Sequence, residues 1–219
     1  MIGRLLPSAA VPVEAFADLP GEAAFPGEED LIANAVPGRR HEFITARRCA
    51  REALGRLGFP AVALRPGPRR EPQWPAGAVG SITHCAGYRA AVVARAADLA
   101  ALGIDAEPHG PLPEGVLDHV TAEGDAGLLE RLRDADPSIH WDRLLFCAKE
   151  AVYKAWYPLT GRWLGFEDAY LSIDPVAGTF AGNLLVPGDR RDGGPELTAL
   201  HGRYLVDRGL VLTAVTVAA

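Results

Sequence analysis

The only two lysines of this chain stand five residues apart in FCAKEAVYKAW, the stretch from Phe146 to Trp156, with a glutamate between them. All the other members of its 22 basic side chains are arginine, so Lys149 and Lys154 mark places where a compact ammonium is wanted rather than a planar fork. On a helix Glu150 and Lys154 are four apart and therefore neighbours, while Lys149 projects about a quarter-turn away. Such a pair on a solvated face is worth roughly a few tenths of a kcal/mol. The company of Phe146, Tyr153, Trp156 and Tyr157 argues instead for a site.

A second pair of acids lies in GIDAE, Gly103 to Glu107. In a strand, residues two apart share a face, so Asp105 and Glu107 present their carboxylates together while Ile104 and Ala106 turn to the core. Taken alone this is equally the solvated end of a strand before Pro108. With Glu150 added, the three carboxylates make a hard oxygen donor set for Mg²⁺, with Mn²⁺ the alternative, and leave both lysines for phosphate oxygens. The stretch GSITHCAG, Gly80 to Gly87, offers hydroxyls, backbone N–H groups and the His84 imidazole to a phosphate. His84 beside Cys85 is poorly placed for thiol catalysis, because adjacent strand residues point to opposite faces.

Positive charge is concentrated in one region. Arg39, Arg40, Arg47, Arg48 and Arg51 are followed by Arg65, Arg69 and Arg70, in a chain whose net charge is −6. Such a concentration resembles a local anion site rather than an average surface, and nucleic acid is not an expected partner. Neither GxxxxGK[ST] nor GxGxxG occurs, which excludes Walker and Rossmann nucleotide sites.

The elements that must hold these groups follow from periodicity. The first quarter reads as loop-rich up to Glu28, and EEDLIANAV as a short helix ended by Pro37 and Gly38. From Arg39 to Leu57, Phe43, Ala46, Ala50, Ala53, Leu54 and Leu57 recur at three- and four-residue steps, an amphipathic helix with a basic edge. RPGPRREPQWPAG is a Pro- and Gly-rich loop. AVGSIT, YRAAVVARA and LALGIDAE read as strands, and the segment from Pro108 to Pro137 as mostly helical. His140 to Tyr157 is a second long helix, which Pro158 is expected to stop. DAYLSID, TFAGNLLV, ELTALHGRYLV and LVLTAVTV read as antiparallel sheet with a turn at Asp207-Arg208-Gly209. The expected fold is α+β: one 219-residue unit of two similar, closely packed lobes, approximately 1–104 and 105–219.

Composition bounds the rest. With 48% hydrophobic and 23% charged residues the chain is an ordinary globular one. Cys49, Cys85 and Cys147 form neither a zinc ladder nor a disulfide framework, which fits a reducing compartment. Pro7, Pro12 and Glu14 interrupt any signal-peptide core, and no apolar run approaches the ~20 residues that span a bilayer. A cytoplasmic protein without membrane contact is expected.

GSITHCAGY, GIDAEP and FCAKEAVYKAW, in this order, resemble the signature of Sfp-type 4′-phosphopantetheinyl transferases. RRHEFITARRCA, EPQWP and RWLGFEDA extend the likeness to the actinobacterial PptT branch, related to the EntD type, over nearly the whole chain. The resemblance implies two lobes related by a pseudo-twofold with coenzyme A in the cleft between them. It implies transfer of the 4′-phosphopantetheine arm from coenzyme A to a serine of an apo acyl or peptidyl carrier protein, releasing 3′,5′-ADP. By similarity Asp105, Glu107 and Glu150 hold Mg²⁺, and Glu150 is the general base. Lys154 stabilises or protonates the leaving phosphate, and Lys149 contacts the pyrophosphate. Thr83 and His84 grip phosphates, and Arg39, Arg47 and Arg65 recognise the ADP portion, with Arg69 and Arg70 competing for the last role. A monomer is expected, with an apolar docking surface at Leu112, Val116, Leu117 and Val120. The site alone leaves open a Mg²⁺-dependent hydrolase of the coenzyme A pyrophosphate and a non-catalytic carrier- or nucleotide-binding module. The carriers served, whether for fatty acids, polyketides, nonribosomal peptides or siderophores, are not legible.

Overall fold

Runs of β-branched and small apolar residues build two antiparallel sheets in the computed structural model, which describes residues 1–219. The first has three strands, β1 Val11–Ala15, β2 Ala78–Cys85 and β3 Tyr88–Arg95, in the order β1-β3-β2. The central β3 is buried along Tyr88–Ala94 without alternation, as a strand covered on both faces must be. The second sheet has five: β4 Leu99–Pro108, β5 Ala169–Asp174, β6 Thr179–Leu184, β7 Ala199–Asp207 and β8 Leu210–Ala218, in the order β4-β8-β7-β6-β5. The two-residue loop Arg208-Gly209 that joins β7 to β8 has φ of 49° and 74°, the pair of positive values that a right-twisted hairpin selects.

Each sheet carries one 20-residue helix, α1 Pro37–Arg56 on the first and α4 Trp141–Thr160 on the second. Between β4 and α4 lie the short α2 Val116–Val120 and α3 Asp125–Ala135. The face α1 turns to its sheet is made of small residues, Cys49, Ala50 and Ala53 with Leu54, which pack on Val13, Ala91 and Val93. α4 sits closer still. A Cβ on Gly103 would lie 2.1 Å from the carbonyl oxygen of Ala151 and 2.7 Å from the amide nitrogen of Ala155, so helix and strand touch backbone to backbone.

Three segments depart from what their sequence pattern predicts. The N-terminal quarter is not merely loop, since a 3-10 turn at Ile2–Leu5 leads into β1, a strand too short and too interrupted by Pro12 to show a period. EEDLIANAV keeps only one 3-10 turn, Glu29–Ile32. Pro158 does not end α4, which continues to Thr160 and is capped by Gly161 at φ 64°. Late in a helix the proline forfeits one hydrogen bond, and the amide of Gly161 still donates to the Tyr157 carbonyl at 2.7 Å.

The sheets meet where β2 and β4 lie side by side, and side chains rather than a backbone ladder join them there. The amide of Ile104 donates to Ser81 Oγ and that of Ala106 to Thr83 Oγ1, each at 3.1 Å. Tyr88, Val92, Ile104 and Leu212 belong to one core cluster that spans this seam. The expected lobe boundary at 104/105 falls inside β4, whose ladder with β8 places all of Leu99–Pro108 in the second sheet. The lobes share a plan of one sheet and one long helix but differ in strand number. No helix is long and apolar enough to cross a membrane.

Candidate active site

Asp105 reaches the seam from β4, Thr83 from β2 and Lys154 from α4, and the three side chains meet. Asp105 Oδ1 accepts from Lys154 Nζ at 2.7 Å and from Thr83 Oγ1 at 3.1 Å. The ammonium also donates to the carbonyl of Ile104 at 3.1 Å. Burial alone would lower the Lys154 pKa, but the charge and hydrogen bond of Asp105, helped by Glu150, raise it above the ordinary lysine value. Asp105 Oδ2 is buried without a partner. An orphaned carboxylate oxygen in a nearly dry setting is costly unless a proton donor or cation completes it.

Glu150, one helical turn before Lys154, supplies the second carboxylate. Burial pushes its pKa up, Lys154 pulls it down, and Asp105 and Glu107 push it further up. No hydrogen bond contributes, so this carboxylate is free to take a proton. Glu107, the third acid, is likewise raised by burial first and by Asp105 second. Its Oε2 accepts from Arg143 Nη1 at 2.9 Å. Lys154 holds Asp105 and Arg143 holds Glu107, and no three acidic, histidine or cysteine side chains are gathered closely enough to hold a metal ion as they stand. The donor set nevertheless fits a hard divalent cation: oxygen ligands only, one of them an unpartnered buried oxygen.

Thr83 and His84 separate. Thr83 is buried, and its hydroxyl is committed to Asp105 and to the Ala106 amide, so it orients the acid. His84, on the opposite face of β2, is half-buried with its ring against the Arg39 guanidinium, and Glu42 Oε2 lies 3.4 Å from Nδ1. Burial first and the Arg39 charge second depress His84 to about 4, which leaves the imidazole neutral at physiological pH. Cys85 is buried and pushed up to about 12, chiefly by burial, so no thiolate forms beside it.

The arginines divide as well. Arg47 stacks on Phe43 with its guanidinium carbon 3.5 Å from the ring centroid, and its Nε donates to the Leu64 carbonyl. Burial lowers its pKa to about 10. Arg65 forks onto Asp30 at 2.7 and 2.9 Å. Arg69 lies 5.5 Å above the Trp163 ring, and Arg70 is exposed at φ 69°.

Lys149 is not at the seam. Its ammonium is buried and donates to Asp125 Oδ2 at 2.6 Å and to the Phe166 carbonyl at 2.8 Å. It borders a cavity of about 110 Å³ beside Glu150, with Tyr153, Trp163 and Phe166 among its walls. A larger concavity of about 730 Å³ lies on the outer face of the five-stranded sheet, between Ser172 and Thr216, and contains none of these groups. The expected docking side chains pack inward: Val120 is buried, and Leu112, Val116 and Leu117 rest against the α4 core, because so short a helix has no other apolar face to bury. Periodicity offered no signal for the partners Arg143, Asp125 and Glu42, whose roles exist only through contacts distant in sequence.

Fold and site together define a two-lobed α+β protein with a carboxylate–lysine centre at the junction of its sheets. Residues 27–94 match the 4′-phosphopantetheinyl transferase N-terminal domain, and residues 101–192 match the 4′-phosphopantetheinyl transferase superfamily. The chain is 56% identical to the 4′-phosphopantetheinyl transferase Svp of Streptomyces mobaraensis, over all of this chain and 90% of that protein. Identity to Npt of Nocardia iowensis is 50% over the full length of both, and to PptT of Mycobacterium tuberculosis 51% over 92% of this chain and 89% of that one. The chain belongs to the 4′-phosphopantetheinyl transferase family, whose enzymes move phosphopantetheine from coenzyme A to carrier proteins.

Proposed function

We propose that transfer takes place at the seam between β2, β4 and α4, on the pyrophosphate of coenzyme A, with the serine hydroxyl of an apo acyl or peptidyl carrier protein as acceptor. The observation that carries this reading is the Glu150 carboxylate, half-buried, free of hydrogen bonds and one turn from the Asp105–Lys154 pair. Asp105, Glu107 and Glu150 would hold Mg²⁺ or Mn²⁺, which when bound neutralises pyrophosphate charge. Glu150 accepts the serine proton as oxygen attacks phosphorus and the bond to 3′,5′-ADP breaks. Lys154, held protonated, keeps positive charge at the leaving phosphate.

Arg39 with His84, and Arg47, supply the edge that meets the ADP portion; the neutral imidazole accepts or donates a hydrogen bond there without adding charge. Arg70, exposed at the tip of its loop, and Arg65 are the remaining cations, and Arg65 must exchange Asp30 for a phosphate to take part. The cavity of about 110 Å³ beside Glu150, aromatic on one side and bordered by Lys149, would take no more than one end of the pantetheine arm. Lys149 acts from that side, since two of its three donors are already used. Three buried free thiols agree with a cytoplasmic enzyme, and a seam built within one chain agrees with a monomer.

Intact-mass spectrometry of an apo carrier incubated with the protein, coenzyme A and Mg²⁺ tests the reading. The expected result is the gain of one phosphopantetheine, abolished by EDTA and reduced at least ~100-fold by Glu150→Gln at unchanged melting temperature. Full activity of Glu150→Gln removes Glu150 from the mechanism, and activity in EDTA removes the cation.

A further inference from the structure

Glu107 of the acidic centre is anchored by the segment that follows β4 and the start of α4. Immediately after β4 the chain runs 109–112 across the first turn of α4, and each of these four residues is engaged by 140–143. The His140 amide donates to His109 Nε2 at 3.1 Å, and the Leu112 amide donates to Asp142 Oδ2 at 3.0 Å. Between them Arg143 donates to the carbonyls of Gly110 and Pro111 at 3.1 and 2.6 Å, through Nε and Nη2. Its remaining nitrogen, Nη1, takes Glu107 Oε2 at 2.9 Å. Arg143 is 15% and Glu107 22% exposed at the side chain, so this is a mostly enclosed contact and not a rim ion pair. A planar guanidinium spending all three nitrogens on three fixed acceptors has one orientation available.

We infer that Arg143 is a positioning residue: it fixes one oxygen of Glu107 to the strap after β4 and thereby presents the other oxygen to a divalent cation shared with Asp105 and Glu150. This rests on the cation-dependent reading above. Two effects of removing Arg143 oppose each other, which makes the inference testable. Loss of a nearby positive charge would tighten cation binding by simple electrostatics, whereas loss of orientation loosens it. The geometry favours loosening, because Glu107 has no other hydrogen-bonding partner to hold its rotamer and the strap would lose two of the four hydrogen bonds that tie it to 140–143.

The experiment is Mn²⁺ titration of the full-length protein, read by the electron paramagnetic resonance of free Mn²⁺, for wild type, Arg143→Ala, Arg143→Lys, Glu107→Gln and the double variant R143A/E107Q. The expected result is a rise in the Mn²⁺ dissociation constant of about 10-fold for Arg143→Ala, a smaller rise for Arg143→Lys, and no additional effect of Arg143→Ala once Glu107 is glutamine. In turnover, kcat should fall while KM for coenzyme A stays within about 2-fold. Unchanged or tighter Mn²⁺ binding in Arg143→Ala overturns the inference, as does full additivity with Glu107→Gln. Should Arg143→Ala fail to fold, Arg143→Lys carries the test, and wild-type affinity in it is the contrary result. If the wild type binds no Mn²⁺, the cation reading fails and the inference with it; if wild type binds Mn²⁺ and transfers phosphopantetheine while the variants bind equally well, only the inference fails.

Discussion

At the scale of single residues, several groups of the site, Glu150, Lys154 and His84 among them, are held away from their ordinary behaviour by burial and by nameable neighbours. His84 shows it most plainly. Burial, then Arg39, lowers its pKa from 6.5 to about 4, so between those values the unfolded chain binds a proton that the folded one does not. Stability contributed by the neutral ring is therefore full above about 6.5 and is lost as pH falls towards about 4. Imidazole NMR should report a wild-type His84 that titrates near 4, and an Arg39→Gln variant that titrates higher yet still below 6.5, since burial is the larger cause. A wild-type ring titrating at 6.5 would contradict the packing described. The residue types of this centre stand out along the chain, because lysine is so rare in it; their geometry does not. Thr83 reads in sequence as a phosphate ligand beside His84, and only the crossing of β2 over β4 shows its hydroxyl bound to Asp105.

At the scale of elements, the backbone contact of β4 with α4 at Gly103 sets where Lys154 lands, and the Lys149–Asp125 pair sets how α3 and β5 pack on α4. Asp125 is fully buried and accepts from Lys149, from the Ala122 amide at 2.7 Å and from the Leu171 amide at 2.9 Å. Breaking such a pair from one side strands a buried charge. Asp125→Ala should cost about 3–5 kcal/mol and lower the melting temperature by on the order of 10 °C, and Lys149→Met in the same chain should recover part of the loss. Calorimetry in which the double variant melts below Asp125→Ala would show that the ammonium has work other than pairing with Asp125. The two long helices and seven of the eight strands are visible as periodicity, because each has an apolar face several turns or several residues long. β1 is not, for five residues containing a proline carry too little pattern.

At the scale of the whole molecule, two sheets are joined by hydroxyl-to-amide bonds and one core cluster rather than by a continuous ladder. Both lobes should therefore melt together in the wild type. In the variant Ser81→Ala/Thr83→Val the amides of Ile104 and Ala106 lose their acceptors in a buried setting, at about 1–3 kcal/mol each. Differential scanning calorimetry should show a lower and broader transition, with transfer activity falling further than stability because Asp105 loses its orienting hydroxyl. A sharp transition at the wild-type temperature would mean that the hydrophobic cluster alone couples the lobes.

The chemistry at hand is legible along the chain: two lysines, three carboxylates, a histidine loop and an arginine cluster, carried by helix and strand periods that are local properties of the sequence. Tertiary structure alone decided which of these groups meet. Lys154 and Asp105, 49 residues apart, share a hydrogen bond, while Lys149, adjacent to Glu150, is drawn to Asp125 instead. The reason is that a side chain's partner depends on how elements cross, and crossing is set by close approaches such as Gly103 against α4 and by core packing. No spacing along the chain encodes it.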